Sequence, residues 1–178
     1  MCLHSLVIRL KRFLIVILFK CQVSDFPHAS VNDLRNINMA VCVSLIGKEN
    51  APKYITCLDY EKELDFHYKI HTSLDIIEEK LNSSVKTVND TRELYLGLLY
   101  ATEEHKIFGY VTNTKIKIVI IIDANHSSLR DNEIRAMFRN LHAAYADVVC
   151  NPFYIPGEPI NSKKFNSIVE GMMLSKKI

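Results

Sequence analysis

His67, His71 and Asp75 stand at i, i+4 and i+8, a spacing that could place metal ligands along one side of a helix. Two histidines one turn apart can offer imidazole nitrogens to a single zinc ion, and a carboxylate could complete a hydrolytic centre. The grouping has no glutamate directly after the first histidine, unlike the metalloprotease motif, and a ligand two turns on drifts around the helix axis. An ordinary polar surface helix gives the same spacing. A metal-dependent hydrolase using His67, His71 and Asp75 therefore stands only as an alternative, and we expect no metal, no cofactor and no enzyme.

Other chemistry has less support. The five glycines are isolated at Gly47, Gly97, Gly109, Gly157 and Gly171, so no glycine-rich loop is available to cradle a phosphate. No serine or cysteine sits in a Gly-x-Ser-x-Gly elbow. The five cysteines, Cys2, Cys21, Cys42, Cys57 and Cys150, are odd in number and form no Cys-x-x-Cys pair. Neither a disulfide framework nor a zinc knuckle is indicated, and a reducing compartment is expected. Cys42 and Cys57 lie in strand-like runs and read as small buried apolar side chains.

A binding role has more to recommend it. Over 66–82, Phe66, Ile70, Leu74, Ile77 and Leu81 recur at steps of three and four, the stripe of an amphipathic helix. Projection at 100° per residue puts Asp75 roughly 140° from that stripe and Tyr68 and Thr72 roughly 160° from it. Ile76 and Glu79 also lie off the stripe. Tyr68, Thr72, Asp75, Ile76 and Glu79 are thus expected on an outward face that mixes aromatic, aliphatic and acidic groups, a composition suited to a protein partner.

The elements that hold this helix can be read on either side of it. Ala40–Ile46 is almost wholly apolar and ends at Gly47, which predicts a strand buried on both faces and central in its sheet. Residues 53–58 resume β-favouring types after a turn at Glu49-Asn50-Ala51-Pro52, making a hairpin. Past a polar linker with Asn82-Ser83-Ser84 and Asn89-Asp90, strands at 94–100, 106–112 and 115–123 form an antiparallel meander. Gly97 and Gly109 fall inside those strands, where a bulge or a close backbone approach is the usual cause.

Ser128 and Asp131 have capping-box spacing ahead of a second helix with Ile134, Met137, Phe138, Leu141, Tyr145 and Val148 on its inner side. Pro152, Pro156 and Pro159 interrupt the chain. A last helix from about Ser162 carries Phe165, Ile168, Val169 and Met172. Between the two, Asn151, Pro152, Phe153 and Tyr154 are expected to be structural: the prolines fix the link, and Phe153 and Tyr154 pack on the body. The order of two strands, helix, three strands and two helices gives an α+β domain, a five-stranded antiparallel sheet with helices on its faces.

The chain of 178 residues suits one core plus at most an appendage. Its formal charge of +2 is concentrated early: Arg9, Lys11, Arg12, Lys20 and Arg35 against Asp25 and Asp33 give residues 1–38 a net +3. The remainder has no electrostatic footprint for nucleic acid. The apolar run at 13–19 is shorter than the ~20 residues a bilayer span needs, and no small-residue cleavage site follows it. We expect 1–38 to be an extension outside the fold, with a reversible membrane anchor as the minor alternative, and 39–178 to be the domain, with no membrane insertion of its own.

Several segments carry a family resemblance. His71-Thr72-Ser73-Leu74-Asp75-Ile76-Ile77-Glu78-Glu79-Lys80 resembles the first-helix segment of the sedlin family, with its His-x-x-Leu-Asp core. Asn151-Pro152-Phe153-Tyr154, with Pro156, Pro159-Ile160 and Phe165 after it, resembles the family's C-terminal signature. Between them, Arg92-Glu93-Leu94-Tyr95-Leu96-Gly97-Leu98-Leu99-Tyr100, Gly109-Tyr110-Val111-Thr112-Asn113 and Leu129-Arg130-Asp131-Asn132-Glu133-Ile134-Arg135 are similar to a sedlin-related subgroup.

The resemblance covers 39–173 and implies a longin-like fold. It further implies membership of the trafficking protein particle (TRAPP) complex, a tether and Rab nucleotide-exchange factor in endoplasmic reticulum-to-Golgi and Golgi transport. Other subunits carry the exchange chemistry there. This chain would supply contacts to other TRAPP subunits, meet a Rab-family GTPase only indirectly, and sit in the cytoplasm, peripheral at endoplasmic reticulum and Golgi membranes in the perinuclear region. A longin-fold adaptor or SNARE-like regulatory module is the alternative, but longin-type SNAREs continue into a heptad segment that is not seen here.

Because the apolar periodicities that can build a core begin at Ala40, removing residues 1–38 is expected to leave the thermal unfolding midpoint unchanged. A large loss of stability in the shortened chain would show that the 13–19 run packs on the domain.

Overall fold

The computed structural model describes residues 40–83, 94–124 and 129–173. The expected boundary at Met39, the extension before it, the linker residues Ser84, Asn89 and Asp90, and the Ser128 cap lie outside those residues. Within them the elements follow the expected order. Strands β1 (Ala40–Ile46) and β2 (Pro52–Cys57) precede helix α1 (Glu63–Ser83). Strands β3 (Tyr95–Ala101), β4 (His105–Val111) and β5 (Lys117–Asp123) precede helices α2 (Asp131–Val149) and α3 (Lys163–Met173). All strand pairs are antiparallel, and the order across the sheet is β2-β1-β5-β4-β3, the longin-like arrangement of one hairpin and one meander joined in a single sheet.

β5 is the middle strand, and its Ile118-Val119-Ile120-Ile121-Ile122 run is buried throughout. Because successive side chains in a strand point to opposite faces, this run serves two cores. Ile118, Ile120 and Ile122 join Val43 and Leu45 of β1 against α2 and α3. Val119 and Ile121 join Cys42 and Ile46 against Phe66, Ile70, Leu74 and Ile77 of α1. The result is three layers, with one helix on one face and two on the other. β1 is buried on both faces as expected, although it lies one strand from the middle.

The two strand glycines have distinct causes. Gly97 has φ 72° at a shift in the β3–β4 register, a left-handed conformation that disfavours other residues. Gly109 is extended, but a Cβ there would come within 2.8 Å of a Leu99 methyl, so the side chain of the neighbouring strand needs the empty space.

α1 begins at Glu63, three residues ahead of the expected start, with Glu63 and Asp65 in the first turn where the helix dipole favours acidic groups. Its inner stripe ends at Ile77: Leu81 was expected on the stripe but is 37% exposed. By the last turn the helix has reached the edge strand, where Lys80 Nζ donates to Leu96 O and Leu98 O at 3.1 and 2.9 Å, and little sheet remains to cover Leu81. At the start of α2, Glu133 Oε2 accepts from the backbone N–H of Arg130 at 2.9 Å, the returning half of a capping box.

The link between α2 and α3 corrects a second expectation. The Tyr154 N–H donates to Asn151 O at 3.0 Å, closing a β-turn, and the Asn151 side chain accepts from the Phe153 N–H at 3.1 Å. Asn151 is structural in that sense, and Pro152 occupies the first corner position of the turn. Phe153 is not packed on the body: it occupies a corner of the turn and is 90% exposed. Tyr154, one position on, returns to the body, lies partly buried against the α2–α3 core, and donates its hydroxyl to Glu158 O at 2.9 Å. α3 is placed by other contacts. Phe165 meets Tyr54 edge to face at 4.9 Å, and Ile160 N–H donates to Lys53 O at 2.8 Å. Among the described residues no helix is long and apolar enough to cross a membrane.

Two phenylalanines test this assignment. Phe138, fully buried between Tyr95 and Tyr110, should cost ~3–5 kcal/mol when cut to alanine. Phe153→Ala should change unfolding free energy by no more than ~0.5 kcal/mol. Equal denaturant midpoint shifts for the two would show that Phe153 packs in solution.

Candidate partner-binding face of the first helix

α1 carries the chain from one side of the sheet to the other, since β2 before it and β3 after it are the two edge strands. Its 21 residues span about 31 Å at ~1.5 Å each, enough to cross five strands spaced ~4.8 Å apart. Apolar burial holds the inner face, and polar contacts pin both flanks.

On one flank, Lys69 is buried, pairs with Asp65 one turn earlier, and approaches Nδ1 of buried His105 at 3.2 Å. The Tyr100 hydroxyl donates to Lys69 O at 2.8 Å. On the other, Glu78 Oε1 accepts from Lys117 Nζ at 2.8 Å and from Asn50 Nδ2 at 3.1 Å. Lys117 also reaches Asn50 Oδ1, closing a three-membered cluster. Asn50 itself has φ 60° in the β1–β2 turn, a conformation that asparagine tolerates well. The cluster therefore ties helix, hairpin turn and middle strand together, and the bond from Lys117 holds the Glu78 carboxyl below its usual range.

The outward side of α1 has the opposite character. Tyr68 is 71% exposed, Asp75 and Glu79 are exposed, and Thr72 and Ile76 are half-buried. The Thr72 hydroxyl donates to Tyr68 O at 3.0 Å, a bond within the helix. Asp75 and Glu79 make no hydrogen bond or ion pair with the described residues. The five residues expected on this face are thus brought together there, on a helix whose position other residues fix. Leu64 extends the face by one turn at 85% exposure, and Tyr60, 83% exposed, precedes the helix. Neither was expected, because the apolar stripe that announces the helix starts at Phe66. The spacing of Leu64 to Tyr68, i to i+4, is the signal that could have found the first of them.

The alternative metal ligands do not converge. His67 Nε2 lies 3.7 Å from Glu63 Oε1, while His71 and Asp75 are exposed on the helix surface. Among the described residues no three His, Cys, Asp or Glu side chains are arranged to hold a metal ion.

Comparison with known proteins gives this surface a context. The family model described as Sedlin matches residues 45–175. The chain is 57% identical over 136 residues to the trafficking protein particle complex subunit 2-like protein of Xenopus tropicalis, covering 76% of this chain and 98% of that one. The protein of the same name from Bos taurus is 56% identical with the same coverage. That from Dictyostelium discoideum is 40% identical over 139 residues, covering 76% of this chain and 96% of the relative.

The Lys69–His105 contact makes the anchoring of α1 sensitive to acid. Burial, and then the Lys69 charge, push the His105 pKa below its ordinary 6.5, so the folded state keeps a neutral imidazole that accepts at Nδ1. The stabilisation is complete above the unfolded pKa. It is lost as pH falls below 6.5 toward the lowered folded value, because only the unfolded chain binds the extra proton. His142, half-buried and lowered likewise by desolvation, acts in the same direction. The unfolding free energy should fall from pH 7 to pH 5, and His105→Asn should flatten that fall by up to about 1.4 kcal/mol per pH unit. An identical pH profile in the variant would show that His105 is not held neutral.

Proposed function

Since the chain belongs to the sedlin family, we propose that it is a non-catalytic subunit of the trafficking protein particle complex and that it binds neighbouring subunits through the outward face of α1. The observation that carries this reading is the identity of 54–57% with five vertebrate trafficking protein particle complex subunit 2-like proteins over 98% of their length. Relatives aligned almost end to end at that identity support the same place in the same assembly. The complex would act as a tether and Rab nucleotide-exchange factor in endoplasmic reticulum-to-Golgi and Golgi transport. This chain would contribute assembly contacts and meet the GTPase only through other subunits, at the cytoplasmic side of those membranes. Purification of the tagged chain from cells should recover other trafficking protein particle subunits, and their absence would sink the proposal.

The physical argument for the α1 face is preorganisation. The helix is fixed by Phe66, Ile70, Leu74 and Ile77 beneath it and by Lys69, Glu78 and Lys80 along it. A partner that binds Tyr68, Thr72, Asp75, Ile76 and Glu79 therefore has little backbone freedom to freeze out, which removes one of the main costs of association. Aromatic and aliphatic groups supply buried area, and the free carboxylates supply directional bonds.

Asp75 is the sharpest probe of this face. Its carboxylate has no partner within the described chain, so replacing it should move stability by no more than ~0.5 kcal/mol. At a packed interface, losing one half of a buried charge pair costs ~2–5 kcal/mol. Asp75→Tyr, which also inserts a ring, should fold with an unchanged midpoint and lose one or more subunits in a pull-down. Asp75→Asn should show a milder loss. Full recovery of subunits by folded Asp75→Tyr would remove this face from the interface.

A further inference from the structure

β1 and β2 bring two thiols face to face. Cys42 is directly opposite Cys57 in the antiparallel ladder, and the sulfur atoms are 2.9 Å apart, both as free cysteines. The Leu58 N–H donates to Val41 O at 2.9 Å, so residues 41 and 58 form a hydrogen-bonded pair. Because such pairs alternate along an antiparallel ladder, Cys42 and Cys57 occupy the next, non-hydrogen-bonded position, where Cα atoms are ~4.5 Å apart. Native disulfides span Cα separations of ~4.4–6.8 Å, so a bond between these sulfurs needs no backbone rearrangement. The register shift in this ladder lies at Leu45/Ile46, away from the pair.

We propose that Cys42 and Cys57 form a redox-modification site, a cross-strand dithiol that a low-molecular-weight disulfide such as oxidised glutathione converts to an intramolecular disulfide.

The two sulfurs have different parts because their surroundings differ. Cys42 is fully buried in the core beneath α1, whereas Cys57 is half-buried at the end of an edge strand and is the sulfur that a small disulfide would meet first. The contact between the two thiols favours the Cys57 thiolate and lowers its pKa, while that same contact and burial push Cys42 up.

Cys57 thiolate attacks one sulfur of the small disulfide, whose S–S bond breaks and releases one small thiolate. Cys42 then gives up its proton and attacks the Cys57 sulfur of the mixed disulfide, releasing the second small thiolate. The two protein thiols lose two electrons and two protons, and the small disulfide gains both to become two thiols. The raised Cys42 pKa opposes the second step, and its fixed position next to the mixed disulfide offsets this.

The bond would close a loop with a sequence separation of 15 residues at the strand that seats α3 through Lys53 and Tyr54. It would cross-link a hairpin that is already paired.

The test uses the full native chain, exposed to oxidised glutathione, alkylated and digested without reduction. The expected results are a linked Cys42–Cys57 peptide, two of the five thiols lost to alkylation, and a mass lower by about 2 Da as two hydrogens leave. Dithiothreitol should restore both thiols. In Cys42→Ser, glutathione should stay attached at Cys57 because nothing resolves it. The proposal fails if the native wild-type chain accumulates glutathione at Cys57 without a linked peptide, or keeps both cysteines fully alkylatable. It also fails if the link forms only in denaturant, since the fold would then not be what pairs the sulfurs.

Discussion

The rest of the structure depends on β5 being apolar on both faces. A strand that buried one face would need one helical layer, but Ile118-Val119-Ile120-Ile121-Ile122 exposes apolar surface in both directions and must be covered twice. α2 and α3 cover one side and α1 the other, so the two cores share a wall one residue thick. Burying each of these aliphatic side chains is worth roughly 1.5–3 kcal/mol. A change that moved β5 by one residue would exchange every contact between the two cores. Lys117 marks the register at one end: its buried ammonium reaches Glu78 and Asn50 on the α1 side.

The same arrangement separates holding from presenting in α1. Full burial and the flank contacts fall on residues such as Phe66, Lys69, Ile77 and Glu78, which leaves the exposed positions Tyr68, Asp75 and Glu79 outside them. On the proposed reading, Tyr68 and Asp75 answer to the partner they would meet, because neither side chain is buried in the domain. The turn at Asn151 to Tyr154 works in a comparable way on the far side. Asn151 and Tyr154 close the turn and seat it, and Phe153 at the corner points into solvent.

Much of this was legible from residue pattern alone, and the failures have specific causes. The apolar runs of β1 and β5, the inner stripes of all three helices and the awkward glycines are local signals that tertiary structure had no reason to override. The outward placement of Tyr68, Thr72, Asp75, Ile76 and Glu79 followed from the stripe by geometry. Leu81 was misplaced because periodicity says which side of a helix is apolar, not where the sheet beneath it ends. Phe153 was misplaced because the direction of a turn residue depends on which residue closes the turn, and bulk argued for burial. At the start of α2, Glu133 reaches back to the backbone of Arg130, a contact that the inner stripe of the helix does not announce. The facing of Cys42 and Cys57 was hidden for another reason: strand composition carries no information about register, which the turn and its irregularity at Leu45/Ile46 decide.

The sheet is continuous only because β1 pairs with β5, and that pairing joins residues far apart in the chain. Ser44 lies opposite Val119, a separation of 75 residues, whereas β1–β2 and β3–β4–β5 close through short turns. Chain entropy makes the distant closure the expensive one, on the order of 4 kcal/mol from the logarithmic length dependence alone. Neither half has both faces of its inner strand covered until the seam exists, and a high proportion of long-range pairing slows folding. By sequence separation the sheet consists of two ribbons of local pairings and one long-range seam, and the middle strand of the finished sheet is the margin of its own ribbon.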